Sequence, residues 1–456
     1  MKKKEISQKY FEMDSMITLT FLGGAREVGR SCIHFQTKNL SFVLDCGLNL
    51  GATGEDHIPL SPPAPPKYAF ITHAHLDHSG YVPLLVKNYG TTVVATPPTQ
   101  DISELLQGDY VKIARENEKE MLYEHKDILA IRKHTMDTRY RVPYILSSGL
   151  TVSFYSAGHI LGSSMIYIKS DKHRILYTGD MMMTNTRTIQ MADTKLPPFD
   201  TLIIESTYSA VSDRHPAREK IEREFVETIR DAYTAGGKIL VPVFAVGRAQ
   251  EVMLTLEAYI KSKALPKMPI YIDGLIKKVN KKYKLFWEWL RPEVQRQIRY
   301  TYHSPLDSKI FVEVSSRKKL FSKEEPIIIL SPSGMLQGGP ALYYLKKIAS
   351  SSRNLIALTG YQVPGTRGRA LLEGNKEIEV DGESITVNAK VKNFDFSAHA
   401  DYGGLIRFIS LFKSIKKIIL VHGEQNKVLS FKNQLESKYK DVSVYAPSIG
   451  EEIILS

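Results

Sequence analysis

Apolar and polar residues alternate in short runs through the first part of the chain. Residues 17–22 (I-T-L-T-F-L), 31–36 and 40–45 are rich in β-formers and separated by Gly and Asn-Leu, as in successive strands of an antiparallel sheet. Residues 59–66, P-L-S-P-P-A-P-P, can form neither a helix nor a central strand, so they predict a stiff loop feeding a strand at 68–72. Helical periodicity follows at about 79–89 and 99–125, and strands return at 151–155, 164–169, 173–178 and 201–204. Up to residue 208 the pattern is sheet with covering helices.

The period then changes. Residues 213–235 predict one amphipathic helix, with Ile221, Phe225, Ile229 and Ala232 on one face and Gly236-Gly237 ending it. Near-continuous apolar runs at 238–244, 269–274, 327–330 and 355–360, with a helix at 247–262, predict a parallel sheet buried on both faces. After about residue 374 short alternating strands return, followed by helix–strand pairs around 403–412, 417–421 and 427–439. That late return to the first pattern predicts an insertion: a polar tail at 1–16, a first domain at 17–208 and 371–456, and a second domain at 209–370 within it.

Composition adds bounds. The chain has 456 residues, enough for two domains, and its 43% hydrophobic and 24% charged residues are those of a globular enzyme. No apolar run reaches the roughly 18 residues that a membrane span needs, and no apolar stretch follows the basic M-K-K-K start, which argues against a secretory signal. The only two cysteines, Cys32 and Cys46, read as buried free thiols and point to a reducing cytoplasm. A net charge of +12 favours an anionic partner such as nucleic acid, although many basic proteins bind none.

Candidate chemistry concentrates in H-A-H-L-D-H at 73–78, directly after the apolar strand. Imidazoles two apart on an extended segment point the same way, so His73 and His75 can grip one ion. Asp77 and His78, on the turn beyond, can face a neighbouring ion. Further ligands are expected from His159 in S-A-G-H-I-L-G-S, Asp180 in L-Y-T-G-D and His422 in I-I-L-V-H-G-E, each at or near a strand end.

This H-x-H-x-D-H, with a later G-H, T-G-D and V-H-G, strongly resembles the metallo-β-lactamase fold. Six more segments resemble its β-CASP branch: G-G-A-R-E-V-G-R-S-C at 23–32, L-D-C-G at 44–47, E-S-T-Y at 205–208, S-P-S-G-M at 331–335, G-Y-Q-V-P-G-T at 360–366 and S-A-H-A-D at 397–401. The similarity is strongest to the endonuclease subunit of the cleavage and polyadenylation specificity factor and its archaeal homologues, in the short form without KH domains. It implies an α/β protein, a metallo-β-lactamase αββα sandwich with an inserted parallel α/β domain. It implies two Zn2+ per chain, one on His73, His75 and His159, the other on Asp77, His78 and His422, with Asp180 bridging. Asp45 would orient the histidine cluster, and His399, its ring held by Glu205, would be the general acid.

The implied activity is a two-metal ribonuclease, endonuclease and also 5′→3′ exonuclease in some relatives, serving RNA processing, 3′-end formation or decay. A small-molecule metallohydrolase acting on thioesters or lactams is the rival, since it would share the H-x-H-x-D-H cluster. RNA contacts are expected from Ser331, Ser333 and Gly334, in a loop able to offer N–H groups to phosphate, and from Arg367 and Arg369 beside Gly365 and Gly368. The basic run at 277–284 reads equally well as an RNA track or a solvated helix face, and the aromatic trio Phe286, Trp287 and Trp289 as core packing. A homodimer is compatible with the resemblance.

Overall fold

A computed structural model describes residues 16–116, 118, 120–146, 149–322, 325–363 and 365–455; apart from Met16, the tail expected at 1–16 lies outside them. Two compact units form. The first combines the chain up to Asn185 with Met191–Arg214 and the stretch from His399 onward; the second is Thr186–Gln190 with His215–Ala398.

The first unit holds two seven-stranded sheets. One runs, edge to edge, Glu452–Leu455, Ile17–Gly23, Cys32–Gln36, Ser41–Leu44, Tyr68–Phe70, Thr92–Ala95 and Thr135–Asp137. The other runs Ser443–Tyr445, Lys417–Val421, Thr201–Glu205, Arg174–Tyr177, Ser164–Lys169, Thr151–Ser156 and Pro143–Ile145. Alternation drives the layering, because one face of each sheet supplies the shared core. Phe21, Phe35, Phe42 and Phe70 from the first sheet meet Phe154, Ile166 and Ile203 from the second. The opposite face of the first sheet packs on the helix Val82–Tyr89, and that of the second on Tyr402–Ser410 and Gln425–Lys438, through Leu405, Phe408, Phe431 and Leu435. This is an αββα sandwich, as expected.

The second unit is built on a six-stranded sheet in the order Phe311–Glu313, Ile270–Ile272, Ile328–Ser331, Ile239–Pro242, Leu355–Thr359 and Lys390–Phe394. Every pairing in it is parallel. The boundary expected at 370 falls inside this unit. Lys390–Phe394 extends the sheet beside Leu355–Thr359, and the hairpin Glu377–Val380/Glu383–Thr386 buries Ile378 and Val380 in the same core. These polar, alternating strands resemble the first unit only because they sit at an edge.

Other differences are local. The helix expected over 99–125 is two, Pro97–Glu116 and His125–Ile131, since Glu124 and Asp127 form a capping box that starts the second. Phe286, Trp287 and Trp289 are half-buried rather than core, with the Arg299 guanidinium 5.4 Å from the Trp287 ring centre. The lysine-rich run lies on the helix Ile276–Leu285, anchored through Val279 and Tyr283. Cys32 and Cys46 are buried free thiols, as expected. Among the described residues no helix is long and apolar enough to cross a membrane.

Candidate metal centre

All the expected ligands belong to the first unit, at one end of its two sheets. His73 stands just past Tyr68–Phe70, Asp180 past Arg174–Tyr177 and His422 directly after Lys417–Val421, while Glu205 ends Thr201–Glu205. Backbone hydrogen bonds lock these ends together. Ser164 N donates to Thr72 O at 2.8 Å, joining the two sheets, and His422 N donates to Gly24 O at 2.6 Å. Ser31 N donates to Asp77 O at 2.8 Å, so the G-G-A-R-E-V-G-R-S stretch props both His422 and the H-A-H-L-D-H turn. Glycine is required at Gly47, where a Cβ would lie 1.8 Å from Asp77 O, and at Gly423, where it would lie 2.5 Å from Ser206 O. Asp45 and His422 adopt φ of 58° and 52°, a left-handed backbone that non-glycine residues rarely take.

The side chains converge. Candidate ligand atoms of His73, His75, His159 and Asp180 lie within 4.8 Å of one another, as do those of His78, Asp180 and His422 and those of His73, Asp77 and His78. Asp180 belongs to both larger groups. Its Oδ2 is 3.5 Å from His73 Nε2 and 3.6 Å from His159 Nε2; its Oδ1 is 3.3 Å from His78 Nε2 and 3.2 Å from His422 Nδ1. Asp77 Oδ2 lies 3.4 Å from His422 Nε2. Among the described residues, His73 Nε2, His75 Nε2, Asp180 Oδ1 and His422 Nε2 are buried without a hydrogen-bond partner. Buried polar atoms are ordinarily paired. Four orphans converging in one ring of nitrogen and oxygen donors fit a bound transition metal.

Electrostatics agree. Burial, with His78 nearby, holds His73 well below the usual imidazole range, and burial lowers His75 too. Both therefore offer lone pairs at neutral pH. Burial opposes ionisation of Asp180, yet His422, His78 and His399 outweigh it and hold the carboxyl well below its ordinary value. His78 goes the other way: burial disfavours its charge, but Asp180 and Asp45 raise its pKa well above normal.

Around the ring stand the orienting groups. Asp45 is fully buried; its Oδ1 accepts from Thr72 N at 2.7 Å, and its Oδ2 accepts from Thr72 Oγ1, His78 Nδ1 and Tyr177 Oη, each at 2.8 Å. His399 Nδ1 donates to Glu205 Oε2 at 3.0 Å and lies 3.9 Å from Asp180 Oδ2. Glu205 Oε1 accepts from Met181 N at 2.7 Å, so the carboxylate is fixed from both sides. Burial works against charge on His399, but Glu205 and Asp180 outweigh it and push its pKa up to about 9. Sequence reasoning missed Tyr177 and Thr207, whose hydroxyl lies 3.2 Å from His422 Nδ1. Tyr177 sits three residues before Asp180, where its chemistry is indistinguishable from that of a core tyrosine.

The five expected RNA contacts lie in the second unit. Ser331 is buried at the end of its strand, and Ser333 Oγ accepts from Gln337 N at 3.1 Å. Gly334 O accepts from Gln362 Nε2 at 3.3 Å. Arg367 donates to Glu379 O, and Arg369 pairs with Glu373 at 2.7 Å.

Comparison with known proteins agrees with this geometry. Residues 41–243 match a beta-lactamase superfamily domain, 249–371 a Beta-Casp domain, and 384–447 a Zn-dependent metallo-hydrolase RNA specificity domain. The chain is 38% identical over 451 residues to transcription termination factor FttA of Methanocaldococcus jannaschii, covering 95% of this chain and 71% of the relative. It belongs to the β-CASP ribonucleases of the metallo-β-lactamase superfamily. An RNase J-like protein from the same organism is 37% identical over 417 residues, covering 91% of this chain and 94% of that one. FttA of Pyrococcus abyssi is 36% identical over 457 residues. A solved structure of a protein of unknown function from Enterococcus faecalis superposes with a TM-score of 0.60 at 15% identity, covering 97% of this chain and 100% of its own, and shares the fold alone. The β-CASP chain is thus a metal-dependent ribonuclease. The small-molecule rival loses its ground, because the Beta-Casp and RNA specificity matches span residues that such a hydrolase does not need.

Proposed function

We propose that this ribonuclease cuts RNA internally with two Zn2+, in 3′-end formation or decay, and that 5′→3′ trimming is a second activity of the same site. One observation carries the reading: the orphaned buried atoms of His73, His75, Asp180 and His422 in one ring. His73, His75 and His159 would hold one ion, Asp77, His78 and His422 the other, and Asp180 both. When bound, such ions supply Lewis acidity that activates water near neutral pH and neutralises charge on the phosphate.

The chain's own residues do the rest. Asp45, an acceptor only, keeps the proton of His78 on Nδ1 and turns Nε2 toward Asp180. His399, raised to about 9, stays protonated at neutral pH and gives its proton to the departing 3′ oxygen. Glu205 holds that ring in place. The products are a 5′ phosphate and a 3′ hydroxyl. Ser331, Ser333, Gly334, Arg367 and Arg369 would hold the RNA backbone, and a homodimer is the assembly proposed. Incubation of 5′-labelled RNA with metal-loaded protein, with and without chelator, tests the activity. Internal fragments first mean an endonuclease, single 5′ nucleotides first an exonuclease, and intact RNA defeats the proposal.

A further inference from the structure

The first unit contains a cavity of about 470 Å3 that the ribonuclease reading does not use. Its walls come from the helices Pro97–Glu116 and His125–Ile131 and from the strands Thr92–Ala95 and Thr135–Asp137. The floor is apolar, made by Ile71, Val82, Val93, Ile128 and Ile131. Two polar side chains line it from the long helix, Ser103 at 8% exposure and Gln107 at 1%. Among the described residues, Ser103 Oγ and Gln107 Oε1 have no hydrogen-bond partner. The other end of Gln107 is engaged, since Nε2 donates to Ser79 O at 2.9 Å. That bond fixes which end of the amide is left unpaired.

A buried acceptor without a donor is costly, so the cavity suits a ligand that brings N–H groups. The charged lining residues agree in sign. Asp101, Glu104 and Asp137 stand against Arg132 alone, three carboxylates to one guanidinium, and Glu104 is already paired with that guanidinium at 2.6 Å. An anion is disfavoured there. A hydrated divalent ion would meet the carboxylates but leave the apolar floor uncovered. An aliphatic chain with cationic ends satisfies both, and the volume lies within the range of about 300–1,000 Å3 usual for small-molecule sites.

We propose that this cavity binds an aliphatic polyamine. One ammonium group donates to Gln107 Oε1 and Ser103 Oγ, the methylenes lie on the apolar floor, and a second ammonium group faces Asp101 and Asp137. Gln107 also holds Ser79, two residues after Asp77, so the bound cation supports the turn that carries Asp77 and His78 from behind.

Isothermal titration calorimetry of spermidine into the full chain, without RNA, tests this. Two variants accompany it: the double substitution Asp101→Asn/Asp137→Asn, and Ser103→Leu, which fills the cavity. The expected result is saturable binding of one spermidine per chain, weakened on the order of tenfold or more by the double substitution and abolished by Ser103→Leu. No saturable heat with the native chain overturns the proposal, as does equal affinity in the double variant. Displacement of spermidine by Mg2+ at matched ionic strength would mark mere charge screening and also overturn it. If Ser103→Leu fails to melt cooperatively, the double variant decides. The measurement requires neither RNA nor bound metal, so its failure leaves the ribonuclease reading standing.

Discussion

Asp45→Asn changes one atom of a fully buried side chain, and the structure says which interaction it breaks. Three donors meet on Asp45 Oδ2, from Thr72, His78 and Tyr177, while Oδ1 takes Thr72 N. With an amide nitrogen in place of Oδ2, the Thr72 and Tyr177 hydroxyls can rotate and accept instead. His78 cannot rotate its proton away. To accept from the new amide it must move that proton from Nδ1 to Nε2, the atom 3.3 Å from Asp180 Oδ1. A protonated Nε2 is no metal ligand. Changes of this outer kind cost about 10–100-fold in metal affinity or activity. The ion on His78 should therefore weaken by that factor, measured by competition with a chromophoric chelator. Tyr177→Phe is the control: it removes one of the donors on Oδ2, costs about 1 kcal/mol in a urea melt, and leaves metal affinity unchanged. An Asp45→Asn protein that holds both ions as tightly as the native chain would show that tautomer control is not what Asp45 does.

Three further outcomes follow from the same site. His399→Ala should keep its metal and lose about 10²–10⁴-fold in cleavage, the scale of a general acid; metal lost along with activity would place His399 among the ligands instead. Asp180→Ala should lose both ions or nearly so by elemental analysis, and a variant that retains two per chain contradicts a bridging carboxylate. Glu205→Gln removes the nearest carboxylate that raises His399 to about 9. Since His399 acts protonated, cleavage persists below its pKa and falls above it, so the alkaline limb of the kcat/KM profile should move to lower pH in the variant. An unmoved limb would detach His399 from that titration.

Much of the centre was legible because its ligands follow apolar strands or sit in one compact turn. His73, His75, Asp77 and His78 lie within six residues, and strand alternation alone aims the first two together. Asp180 and His422 were visible as polar residues just past apolar runs. Family resemblance tied Glu205 to His399 across 194 positions, which no local pattern could do. What stayed hidden depends on distant pairing. Glu452–Leu455 becomes a strand by joining Ile17–Gly23, and Thr135–Asp137 by lying beside Thr92–Ala95. Lys390–Phe394 was misplaced because an edge strand carries few apolar residues, whichever sheet it joins. Tyr177 needed the fold, since only there does its hydroxyl meet Asp45.

The most direct test is elemental analysis of the full chain by inductively coupled plasma mass spectrometry. The account predicts two zinc ions per chain, removable by chelator together with RNA cleavage. A native, folded protein with no bound transition metal, or one whose cleavage survives complete metal removal, would contradict it.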